Sequence, residues 1–180
     1  MSIKTNKKKF PSFLSLLIMT IIVTYCVKKL KLNILKYPLS KIGIHDETYL
    51  LWNSTVVFLA GIIVFDTINN LKKFELIKQK LLLTLFLLSC SGLVGLSLFT
   101  LDYPFIHNTF SFLFFFLYPI SILIFGIKTK KHFRISIISK VISVLMIITS
   151  TWLVLNIQSI PEIIFILLCF YWNTNLRYYQ

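Results

Sequence analysis

The chain is divided into six apolar runs, each close to the length that crosses a bilayer, with very little sequence between them. The runs cover about residues 11–27, 49–68, 81–101, 105–127, 135–155 and 160–176. A spanning helix needs roughly 20 predominantly apolar residues. With 57% hydrophobic residues, 14% charged residues and a mean hydropathy of +0.82, a 180-residue fold in water lacks the polar surface to cover itself. The prediction is an all-α integral membrane protein, a six-transmembrane-helix bundle forming a single transmembrane domain over residues 1–180. The longest connection, residues 28–48, leaves no separate soluble domain.

The first run follows Lys4, Lys7, Lys8 and Lys9 and has the outline of a signal peptide. Cleavage requires small residues, and Val23-Thr24-Tyr25-Cys26 places a Tyr before the Cys. A retained helix is therefore expected. Cys26, Cys90 and Cys169 each lie inside an apolar run with no CxxC pair, which suits small core residues rather than a disulfide or metal framework.

The formal net charge is +13, and the lysines cluster between the apolar runs. That placement fits helix ends anchored among anionic headgroups and excludes nucleic acid as the expected partner. Lys72, Lys73, Lys78 and Lys80 lie between the second and third runs, and Lys128, Lys130, Lys131 and Arg134 between the fourth and fifth. The turns at Asp102–Pro104 and Asn156–Ser159 carry no Lys or Arg. The alternation places the basic connections and both termini in the cytoplasm. Lys28, Lys29, Lys31, Lys36 and Lys41 run against it, although those near a helix end can extend their ammonium groups to the headgroups. Lys-, Ile- and Asn-rich usage suggests an AT-rich genome, so the expected location is a bacterial cytoplasmic (inner) membrane.

Ionisable groups at membrane depth are costly and need a reason. In this topology most acids and histidines gather at the outer end. Asp102 and His107 flank the tight turn Tyr103-Pro104 and form the candidate catalytic acid–base pair. The same two residues can also close the hairpin by a hydrogen bond without any catalysis. His45, Asp46, Glu47, Asn53, Ser111 and Glu162 form the candidate ligand-binding set. No HxxxH, HExxH or G-x-S-x-G spacing occurs, so neither a metal site nor a serine nucleophile is predicted. Asp66 lies near the cytoplasmic end, with Lys72 or Lys73 as the expected partner. In the third run, Ser89-Cys90-Ser91-Gly92 and Gly95 make a small face that is expected to meet the stripe Asn53, Val57, Ala60, Gly61 and Val64 of the second. In the fourth, His107, Ser111, Phe114 and Tyr118 share a face above a kink at Pro119.

Several of these residues recur as a pattern. Tyr37-Pro38-Leu39-Ser40 precedes a short acidic stretch, Asn53 opens the second helix and Gly61 follows. Gly92-Leu93-Val94-Gly95 leads to Phe99 and Asp102, and His107 opens a Phe-rich helix. This pattern resembles the six-pass membrane family catalogued as domain of unknown function nine-nine-eight, which is distantly similar to the Frag, DRAM and Sfk membrane proteins. The resemblance runs over about residues 13–173. The family's Phe-Pro before the acidic residue is here Phe99-Thr100-Leu101-Asp102, with the Pro displaced to Pro104. The resemblance implies six helices and a recurring acid/His turn, and it implies no reaction.

The leading functional expectation is an accessory or binding protein that holds a lipid, a small ligand or a membrane partner, which includes a second copy of the chain. The alternatives are an outer-leaflet enzyme using Asp102 and His107, or a small transporter. Transport is disfavoured because no charge lies near the middle of a helix and no helix pair is broken at matching positions. No cofactor is predicted, and a lipid is a candidate ligand.

Overall fold

In hydrocarbon every backbone N–H and C=O must find a partner within the protein, and helices meet that demand locally. The computed structural model describes residues 11–156 and 158–179; Lys4, Lys7, Lys8 and Lys9 lie outside them. Its helices are α1 (Pro11–Leu30), α2 (Tyr49–Lys73), α3 (Lys80–Leu98), α4 (Pro104–Lys128), α5 (Phe133–Leu155) and α6 (Ser159–Tyr178). A short 3-10 helix, Leu39–Ile44, lies between α1 and α2. Among the described residues no strand occurs, and five helices, α2 to α6, are long and apolar enough to cross a membrane. The chain is a multi-pass, all-helical membrane protein.

Successive helices pack side by side, and α6 returns to close the bundle against α2 and α1. The fully buried Trp172 of α6 sits at the centre. It stacks on Phe86 of α3, meets Phe125 of α4 edge-on, and donates its indole N–H to Ser139 of α5 at 3.0 Å. Beside it, Asn70 of α2 donates to Asn173 of α6 at 3.2 Å, and Asn173 donates to the Tyr118 hydroxyl of α4 at 3.0 Å. These bonds satisfy polar groups that would otherwise be orphaned in an apolar core.

The helix α2 continues beyond Ile68 to Lys73 and stops where Glu75 adopts φ 58°, a left-handed conformation that cannot propagate a helix. The extra turn has a use. The Lys73 ammonium donates to the last carbonyls of α6, including Leu176 at 2.8 Å, so a cation neutralises the negative helix end. Asp66 pairs with Arg177 of α6.

The helix α4 departs furthest from regularity. Its middle, Leu113–Leu117, is a π-helical turn, and Pro119 follows after Tyr118. Proline has no N–H to give the carbonyl four residues back, at Phe115. Ser150 of α5 fills the vacancy, donating to the Phe115 oxygen at 2.6 Å. Two further serines repeat the arrangement at heptad spacing: Ser143 donates to the Pro119 oxygen at 2.7 Å and Ser136 to the Gly126 oxygen at 2.6 Å. Spacing of seven keeps the three hydroxyls on one face of α5 along the seam with α4.

The two glycines of the small α3 face pack against α4. A Cβ at Gly92 would come within 2.8 Å of the Phe110 oxygen and of the Phe114 nitrogen, and one at Gly95 within 2.3 Å of the Phe110 ring. Gly61 of α2 has open space around it instead, with nothing within 4 Å of an added Cβ. Gly95→Ala is therefore expected to lower the melting temperature in detergent, by the equivalent of about 1–3 kcal/mol for overpacking. Gly61→Ala should be neutral or stabilise through helix propensity by up to about 1 kcal/mol; equal effects of the two would contradict the packing described.

A second expectation concerns the repaired break. Ser150→Ala should cost about 1–3 kcal/mol by leaving the Phe115 carbonyl unpaired. Pro119→Ala restores an N–H, so the double variant should lose less than the sum of the two single changes. Strict additivity in a double-mutant cycle would show that Ser150 does not stand in for the missing donor.

Candidate functional site

The end of the bundle that carries the turns 31–48 and 99–103 and the start of α6 gathers the polar groups. At the start of α6, Ser159-Ile160-Pro161-Glu162 has the Ser-x-x-Glu spacing of a capping box. Neither side chain caps its own helix. The Ser159 hydroxyl donates to the Tyr37 oxygen at 2.5 Å, its N–H donates to the Ile34 oxygen at 3.3 Å, and Glu162 Oε2 accepts from the Leu39 N–H at 2.6 Å. The first long loop is thus stitched onto the last helix, which carries Ser40 to the mouth of the bundle.

His107 occupies the first turns of α4 and is 5% exposed. Its Nδ1 lies 2.8 Å from the Phe99 oxygen. A carbonyl only accepts, so Nδ1 carries the proton, and neutral His107 keeps an acceptor lone pair on Nε2. The same bond explains why α3 ends at Leu98 and not at Leu101: the Phe99 carbonyl turns out of the helix to meet the imidazole.

Two cavities meet at this point. The first, about 70 Å³, lies inside the ring of helices; Trp52, Ile63, Phe114 and Phe170 are among its walls. The second and roomier, about 380 Å³, lies between α4 and α5 below Pro38. Ser40, His107, Ser111, Phe115 and Glu162 line both. Glu162 is 9% exposed, and its one hydrogen-bond partner among the described residues is the Leu39 N–H on Oε2. A mostly apolar wall with a few convergent polar groups is the usual composition of a small-molecule site.

Of the residues expected from sequence, the structure brings together His107, Ser111 and Glu162. Phe114 joins them, whereas Tyr118 is withdrawn into the core beside Asn173, because the π turn shifts the helical register below Ser111. Asp102 stays outside the cavities. It is exposed, its Oδ2 accepts from the Thr100 hydroxyl at 2.9 Å, and no ion pair joins it to His107 among the described residues. His45, Asp46, Glu47 and Asn53 also lie off the cavity walls. The His45 carbonyl accepts the N–H groups of Thr48 and Tyr49 and so starts α2. Glu47 pairs with Lys29 at 3.5 Å, and Asn53 donates to the Gly43 oxygen at 3.4 Å, bracing the 3-10 helix. Ser40 and Trp52 line the site without having been expected there. The only hint to them in sequence is the Ser159/Glu162 spacing, which gives no partner. Among the described residues no group of three or more His, Cys, Asp or Glu side chains is placed to hold a metal.

Glu162→Ala should free the loop from α6. Amide exchange at Leu39 and its neighbours is expected to accelerate by roughly tenfold or more, since hydrogen bonds to charged groups contribute about 1.5–3 kcal/mol. Unchanged exchange over residues 34–44 would show that the tether does not hold the loop. Comparison with known proteins gives no matching family model, no matching curated protein and no matching solved structure.

Proposed function

We propose that this protein crosses the membrane six times, with both termini in the cytoplasm, and holds a lipid or other small amphiphile in the paired cavities at the outer end. The observation that carries the reading is the shared wall of Ser40, His107, Ser111 and Glu162, a polar corner set into two apolar cavities. α1 supports its place as the remaining span: Met19 lines the inner cavity and Cys26 is fully buried against the 3-10 helix. The lysines of the first outer loop weigh less against the orientation than their number suggests. Lys29 is paired with Glu47, and the Lys41 ammonium lies 3.7 Å from the centre of the Tyr37 ring. Location in a bacterial cytoplasmic membrane, an accessory role beside a membrane partner, and kinship with the six-pass family all belong to this proposal.

A hydrolytic reading has one observation in its favour. The Nε2 lone pair of His107 shares a cavity with the Glu162 carboxylate, an arrangement able to activate a water. In that reading Glu162 takes the place in the pair that the sequence assigns to Asp102.

The orientation is tested by reporter fusions. A fluorescent protein at the C-terminus is expected to fluoresce, and alkaline phosphatase inserted at Tyr103 is expected to be active; the reverse pattern overturns the topology. The binding reading is tested by native mass spectrometry of the detergent-solubilised protein. Adducts of lipid mass should accompany the wild type and fall away in Ser111→Trp, which fills the junction of the cavities. A wild type that flies without adducts would remove the reading's support.

A further inference from the structure

We propose that the junction of the two cavities binds the primary ammonium head of an amphiphile, with Glu162 as its counter-ion. The proposal rests on the amphiphile-binding reading and gives its ligand a chemical class.

Among the described residues neither cavity is lined by Lys or Arg, and Glu162 is the one formally charged side chain on their shared wall. An anionic head would meet a carboxylate with no cation to offset it, which is costly at this depth. An ammonium reverses the sign of that interaction and supplies the missing partner of a buried acid. The remaining polar atoms agree. His107 presents Nε2 as an acceptor, because its proton is committed to the Phe99 oxygen. Among the serines from Ser40 to Ser159, Ser40 and Ser111 are the two with no hydrogen-bond partner among the described residues. Both line the junction. Elsewhere in the bundle serine hydroxyls are consumed by the fold, and at this place they are left over. A primary ammonium has three N–H donors and no acceptor, which matches a corner built from a carboxylate, an imidazole lone pair and two hydroxyls.

The tail follows from the second cavity, about 380 Å³ between α4 and α5, whose wall runs past Phe112, Phe116, Leu153 and Val154. That is room for an alkyl chain of medium length.

The test measures the melting temperature of the protein in a mild non-ionic detergent with dodecylammonium, dodecanol, dodecanoate or butylammonium added at equal concentration. Dodecylammonium should stabilise most, and Glu162→Gln should reduce its preference over dodecanol by roughly tenfold in apparent affinity. Ser111→Ala removes a hydroxyl that the fold does not use, so it should fold normally and weaken the same preference. Equal shifts from all three dodecyl compounds overturn the ammonium assignment while the amphiphile reading stands. No shift from any compound overturns both. Butylammonium matching dodecylammonium sustains the ammonium site, assigns it to water-soluble amines, and overturns the amphiphile reading.

Discussion

The architecture depends on one constraint: a helix in hydrocarbon cannot leave a carbonyl unpaired. α4 breaks that rule at Pro119, and the neighbouring helix repairs it. The hydroxyls of Ser136, Ser143 and Ser150 bind α4 backbone oxygens along the whole seam, so α4 and α5 behave as one braced pair. With that seam secured, the π turn at Leu113–Leu117 is sustainable, and the glycines of α3 let the Phe110 side of α4 come close. The irregular stretch sits beside Ser111 and Phe115, where the two cavities meet. Local departures from α geometry often accompany functional sites.

The opposite end is built for rigidity. The Asp66–Arg177 pair, the Lys73 ammonium on the terminal carbonyls of α6, and the cluster of Phe74, Phe125, His132 and Tyr179 rings join α2, α4 and α6 tightly. Charge and aromatic contact serve closure there, whereas at the cavity end Ser40 and Ser111 have no hydrogen-bond partner among the described residues. The contrast between the two ends supports the proposed binding site.

Much of the fold is legible in the sequence because the bilayer imposes length and composition on every span. Helix ends differ from expectation where a single side chain intervenes. α2 outlasts its apolar run because Asn70 and Lys73 find partners on α6, and α3 stops early because His107 claims the Phe99 carbonyl. The site is legible only in part. His107 and Ser111 sit four residues apart on one helix, so periodicity links them. Glu162 reaches them from a distant part of the chain, and periodicity within a helix carries nothing about that. Asp102 looks like the natural partner of His107 from its position, yet it precedes the helix start and Thr100 engages it first. The π turn is written in Leu113-Phe114-Phe115-Phe116-Leu117, a stretch with no local signal for it, because the glycines opposite and the proline after it decide the geometry.

The stitching of the first loop to the last helix also has a consequence in time. A membrane chain is inserted from its N-terminus onward, so the first loop and α2 are made long before α6 is synthesised. Until then the Tyr37 carbonyl and the Leu39 N–H lack the partners that Ser159 and Glu162 provide. The cavities are therefore completed only once α6 has been made. A ribosome that stops short of α6 releases a chain that holds Ser40, His107 and Ser111 but lacks the Glu162 that joins them.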